Sequence, residues 1–242
     1  SLTGLGEGGD GLRIRSSTLD SIDLQLNGRV SDTQLLRNNA GIRIAEGSTL
    51  QFGLGGSVSL TGDNIGIFNS QVKGAPASFS LQADRSIAVR FSDLDFSQGP
   101  GTRVTFTSDA DSDLSGRVRV DFGSLMTGGG DLTITGGTGA AVGLPSFDAN
   151  NNPIQGNAVV FEGATGVLLQ GVNIQAGTGT VKLRGRGESL VVQAADSTGS
   201  WGINVIGGVE TSIAAGRIEL FGDGGSKGWG LLVSGSPDIS QG

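Results

Sequence analysis

Apolar residues recur along this chain in short runs at alternate positions, and the same phrase of runs returns from end to end. GIRIAEGSTLQFGLGGSVSLTGD (Gly41–Asp63) and GINVIGGVETSIAAGRIELFGD (Gly202–Asp223) are two copies. Each opens on Gly-Ile-x-Ile or Gly-Ile-x-Val and passes through a polar loop and a small apolar step. Each closes on Val-x-Leu or Ile-x-Leu ahead of x-Gly-Asp. Alternation is the period of a strand with one buried face, not of a helix, and no amphipathic helix stands out. Ile42/Ile44, Val58/Leu60, Val104/Phe106, Val181/Leu183 and Ile218/Leu220 are predicted to point inward. Arg43, Ser59, Thr105, Lys182 and Glu219 are predicted to face solvent.

A repeat of this length predicts a stacked solenoid rather than a globular core. Opening strands start at Leu12, Ile42, Ile65, Ile87, Val118, Val167, Ile203 and Leu231, and return strands at Val58, Phe79, Val104, Leu132, Val181 and Ile218. The wide gap after Leu132 holds an inserted surface loop, residues 144–157, and an additional coil expected at Ala158–Phe161. The gap after Val181 holds a further short strand at Leu190–Val192. The expected fold is therefore all-β, a β-helix of about nine coils running as a single segment from residue 1 to 242. Stacked at the strand spacing of ~4.8 Å, such coils make a rod on the order of 40 Å long. The Ser1-Leu2-Thr3 start, without Met or leader, and the lack of polar caps lead us to expect a segment of a longer rod. Corner glycines are expected to supply positive φ at the turns, and Phe68, Phe79, Phe91 and Phe106 to form core ladders.

Composition narrows the chemistry. Gly accounts for 45 of 242 residues, spaced between the apolar runs, which is turn chemistry rather than low complexity. His and Cys are both absent, which excludes His-dependent catalytic triads, disulfides and ordinary zinc sites. The net charge of −7, with no dense Lys/Arg cluster, argues against nucleic acid and anionic membranes as partners. No apolar run is long enough to insert in a bilayer.

Candidate sites are few. Asp109, Asp111 and Asp113 alternate in a way that can converge oxygens on Ca²⁺, although Leu114 and Val120 break the EF-hand pattern and a solvated turn explains them as well. Gly8–Ile14 resembles the calcium-binding nonapeptide of RTX β-rolls, with Arg13 where a ligand Asp belongs. Asp148–Pro153 reads as a polar turn. Arg13/Arg15, Arg117/Arg119 and Arg184/Arg186 are pairs on single strand faces, open either to solvent or to acidic sugars. Trp201 and Trp229 occupy equivalent places just ahead of two opening strands, where they can stack on glycan rings or plug a corner.

Gly166–Gly187 (GVLLQGVNIQAGTGTVKLRGRG) and Gly216–Gly235 (GRIELFGDGGSKGWGLLVSG) best carry a wider pattern, Gly-Val/Ile-x-Val/Ile … Gly-x-Ile/Val-x-Leu-x-Gly-x-Gly-Gly. It resembles the repeats of filamentous-haemagglutinin-type exoproteins, the adhesins of bacterial two-partner secretion. The resemblance implies that the coils form a right-handed parallel β-helix (solenoid) serving as a shaft, with export through an outer-membrane transporter, and attachment or biofilm formation at the extracellular bacterial cell surface. A host receptor, matrix or polysaccharide would be the partner, no cofactor would be needed beyond a candidate Ca²⁺, and the chain would not be an enzyme. The alternative is a β-helical polysaccharide lyase or hydrolase acting on acidic glycans; a toxin-delivery stalk shares the same repeats.

Overall fold

The computed structural model describes residues 1–6, 9–30, 40–109, 116–137, 165–187, 201–207, 211–224 and 229–241. Among these the protein is all-β: the strands join one 18-stranded sheet, and there is no helix. Neighbouring strands pair in parallel throughout. The pairings sort into three ladders, visited in the same order again and again along the chain.

The opening ladder stacks Leu12, Ile42, Ile65, Ile87, Val118, Val167, Ile203 and Leu231 in register. The return ladder stacks Leu2, Leu26, Leu60, Leu81, Phe106, Ile134, Leu183 and Leu220. Between them in chain order lies a middle ladder of Leu19, Leu50, Val72, Leu94, Leu125, Ile174, Ile213 and Ile239. The repeat pattern anticipated two strands per circuit; the small apolar step between them is a strand in its own right. Long strands such as Ser57–Phe68 and Val167–Arg186 turn corners and serve more than one ladder.

Among the described residues each ladder is eight strands deep. The return ladder begins at Leu2, one circuit before the opening ladder begins at Leu12, so the strands fall on nine levels. Across the long segment after residue 137, Val118 pairs directly with Val167, Leu125 with Ile174 and Ile134 with Leu183. Across the segment after residue 187, Leu169 pairs directly with Val205 and Leu183 with Leu220. No further level separates these neighbours. The 144–157 insertion, the Asp148–Pro153 turn and the strands expected at Ala158–Phe161 and Leu190–Val192 lie outside the described residues.

The inward columns meet in one apolar cluster. Each fully buried Val, Leu, Ile or Phe in it contributes roughly 1.5–3 kcal/mol of transfer free energy. Phe79 centres the aromatic part, with ring centres 6.3 Å from Phe52, 5.1 Å from Phe96 and 6.4 Å from Phe106. Phe68 instead packs outside this cluster with Ala45 and Ala88. Arg43, expected in solvent, is buried, its Nε 3.2 Å from Asp10 Oδ2. Asp10 also accepts from the Ala40 amide at 2.8 Å, and Arg13 and Arg15 both pair with Glu46.

The corner between return and opening ladders is built on glycine for a reason other than the one expected. Gly28 faces Gly41, Gly136 faces Gly166, Gly185 faces Gly202, and Gly222 faces Gly230. None of them lies in the left-handed region. A Cβ on Gly28 would stand 2.0 Å from the Gly41 carbonyl oxygen, and one on Gly185 would stand 1.9 Å from that of Gly202. These glycines let two backbone segments touch.

Candidate functional site

Positive φ marks the other two corners. Gly55, Gly74, Gly101, Gly128, Gly129 and Gly177 take it where the middle ladder turns into the return one, as expected of corner glycines. A second row takes it where the opening ladder turns into the middle one. Ser16, Glu46, Asn69, Phe91 and Phe122 take it at successive levels, followed by Gly171. Asn tolerates this conformation because its short polar side chain bonds locally, whereas a bulky residue there is an outlier that costs on the order of 1–3 kcal/mol. Phe91 and Phe122, at φ 50° and 51°, are two such outliers on adjacent levels. Their rings stack at 5.0 Å and 11°, and Phe122 is 40% exposed. Phe91, expected in a core ladder, is thus turned outward. At the next level a Cβ on Gly171 would stand 2.7 Å from the Phe122 ring, so the ring lies over bare backbone.

The platform is held from beneath. The Phe91 amide donates to the Asp121 carbonyl at 2.9 Å. Asp121 Oδ2 lies 2.7 Å from Arg90 Nε and 2.5 Å from Arg119 Nε, with its side chain fully buried. Burial pushes the Asp121 carboxyl above its ordinary value, while Arg119 and Arg90 pull it down. The Arg90 guanidinium also sits 5.6 Å from the Phe91 ring centre. Arg117 and Arg119, expected on a strand face open to solvent or to acidic sugars, are both buried. The small residues after the two phenylalanines complete the turn. Ser92 Oγ accepts from the Ser70 amide at 3.2 Å and donates to the Arg90 carbonyl at 2.8 Å. A Cβ on Gly123 would stand 2.1 Å from the Ser92 carbonyl oxygen.

Beside this platform runs an open groove of about 680 Å³. Its floor is the outward row of the middle ladder, Asp93, Ser124, Asn173, Ser212 and Asp238, which are register partners in that order. At ~4.8 Å per level the row spans about 19 Å. Phe122, Gly123, Gly171, Thr211 and Ser236 line its side. Ser124 donates from its amide and hydroxyl to Asp93 Oδ1 at 3.1 and 2.7 Å, and Ser212 Oγ donates to Asn173 Oδ1 at 2.9 Å. Gln175 Nε2 reaches the same Asn173 oxygen at 3.3 Å. Two carboxylates and no Lys or Arg belong to the described lining.

The residues singled out from sequence lie elsewhere. Trp201 and Trp229 are register partners at the head of the last two opening strands, Trp201 half-buried and Trp229 68% exposed. Neither lines the groove. Asp109 sits just past the strand Arg103–Thr107 at φ 59°, its amide donating to the Arg85 carbonyl at 3.3 Å. Asp111 and Asp113 lie outside the described residues, among which no group of three or more acidic side chains is gathered to hold a metal. Arg184 lies over the Phe221 ring, and Arg186 Nε is 3.4 Å from Asp223. The groove escaped sequence reading, although one signal was present: Phe-Ser at 91–92 and Phe-Gly at 122–123 follow two opening strands at the same offset. Compared with family models, characterised proteins and solved structures, the chain finds no match.

Proposed function

We propose that the chain winds as a right-handed parallel β-helix and serves as a shaft and binding segment of an exported bacterial surface adhesin, without enzymatic activity. The observation that carries this reading is the threefold set of parallel ladders, each continuing in register through eight levels. Stacks of this kind bury each level only against its neighbours and suit an extended scaffold with lateral binding surfaces. The similarity of Gly166–Gly187 and Gly216–Gly235 to haemagglutinin repeats supplies export and the cell surface. The competing reading, a lyase or hydrolase for acidic polysaccharide, calls for cations presented to a polyanion. Against it stand the burial of Arg117, the burial of Arg119 against Asp121, and the carboxylates Asp93 and Asp238 in the groove.

Beads coated with the purified chain should attach to polysaccharide- or cell-coated surfaces above the level of albumin-coated beads. The same preparation should release no unsaturated or reducing ends from pectate or alginate. Attachment no better than albumin, or sugar release that scales with protein concentration, contradicts the proposal.

A further inference from the structure

We infer that the groove floored by Asp93, Ser124, Asn173, Ser212 and Asp238 is a binding site for an uncharged linear polysaccharide, with Phe122 as its stacking platform. The inference deepens the shaft-and-binding reading and rests on it. Three independent features converge on this ligand class.

The first is the exposed aromatic ring. Phe122 is carried at φ 51° on backbone that disfavours bulky residues, and it is stacked on a second strained phenylalanine. Positive φ recurs at this corner on every level from Ser16 to Gly171, but only at Phe91 and Phe122 does it carry an aromatic ring, which it holds outside the core cluster and beside the groove. A flat hydrocarbon face suits the C–H face of a pyranose, which is apolar in the same sense.

The second feature is the polar row. It presents carboxylate, hydroxyl and amide groups at one repeat per strand spacing, ~4.8 Å. Sugar hydroxyls are donors and acceptors at once, so Asp93 and Asp238 can accept from them while Asn173, its oxygen taken by Ser212 and Gln175, can donate through its amide nitrogen. A regular row favours a regular polymer, and its five levels give room for several rings in line.

Charge is the third feature. With two carboxylates and no cation among the described lining residues, the groove repels uronate chains and sulfated glycans. Neutral hexose or N-acetylhexosamine polymers remain.

The experiment is calorimetric titration of the chain with cellohexaose, chitohexaose and, for charge, hexagalacturonate. At least one neutral oligomer should bind, and hexagalacturonate should bind more weakly. Phe122→Ala should weaken neutral binding on the order of tenfold, the scale of a truncated aromatic anchor. Phe122→Trp should restore it, and Trp229→Ala should leave it unchanged. Circular dichroism of each variant reports whether the fold persists. The inference is overturned if neither neutral oligomer binds at millimolar concentration, if hexagalacturonate binds as well as the neutral chains, or if folded Phe122→Ala binds like the parent. Bead attachment that survives in Phe122→Ala would sink the groove and leave the adhesin reading standing.

Discussion

Phe79→Ala should lower the unfolding free energy by about 3–5 kcal/mol, the usual cost of emptying a buried phenylalanine site. Three features put the expected loss toward the upper end. Phe79 is fully buried, it touches the rings of Phe52, Phe96 and Phe106, and it belongs to the return ladder. Its neighbours cannot collapse into the void, because parallel hydrogen bonds fix the spacing of each level. Ring–ring contacts worth roughly 0.5–1.5 kcal/mol beyond area burial are lost as well. Chemical denaturation followed by far-ultraviolet circular dichroism measures the change. Phe221→Ala is the comparison: its ring is 53% exposed, and its removal should cost far less.

The second large effect is expected from adding one methyl group. Gly185→Ala would put a Cβ 1.9 Å from the carbonyl oxygen of Gly202, where the obstacle is backbone and cannot swing aside. Two segments of the corner must separate, pulling Val167–Arg186 away from Trp201–Ile206. Overpacking of this kind costs about 3 kcal/mol, against a total stability of only about 5–15 kcal/mol for ordinary domains. Gly9→Ala is the matching control. Nothing lies within 4 Å of its Cβ position and its φ is not left-handed, so alanine there should be neutral or slightly stabilising. Thermal and denaturant unfolding of the two variants side by side separates steric contact from any general effect of losing glycine.

Much of this fold was legible before the structure. Opening and return strands announced themselves because two inward apolar residues flank one polar residue in each, as in Ile42-Arg43-Ile44 and Val181-Lys182-Leu183. The middle ladder did not, because strands such as Gln71–Gly74 and Asp93–Asp95 place a single aliphatic residue inward, too little for a period to show. Where the levels fall was less legible, for a different reason. Spacing alone does not say whether extra residues add a level or leave the stack unchanged, and the direct pairing of Thr133 with Lys182 decides for the latter.

The groove was hidden by the same alternation that revealed the core. Ile87-x-Val89-x-Phe91 and Val118-x-Val120-x-Phe122 both continue the inward pattern to the phenylalanine. Left-handed φ at residues 91 and 122 breaks the pleat one step early and turns the rings outward. Likewise Arg43 and Arg119 sit at formally outward positions yet are buried, since a strand's outer face says nothing about what else covers it.

The central claim is the stack itself, three ladders each eight strands in register, with Thr133 paired directly to Lys182. The chain has no cysteine, so introduced pairs report cleanly. Thr133→Cys with Lys182→Cys joins outward positions on levels that pair directly, with Cα atoms near the ~4.8 Å strand spacing and within the reach of a disulfide. Mild oxidation should close an intramolecular bond in this pair, seen as lost thiol titre and faster migration on a denaturing gel. Thr105→Cys with Lys182→Cys spans two levels, beyond the ~7 Å limit for bridging, and should stay reduced. Cross-linking of the first pair and not the second is the predicted result. An open first pair, or equal closure of both, would contradict the account.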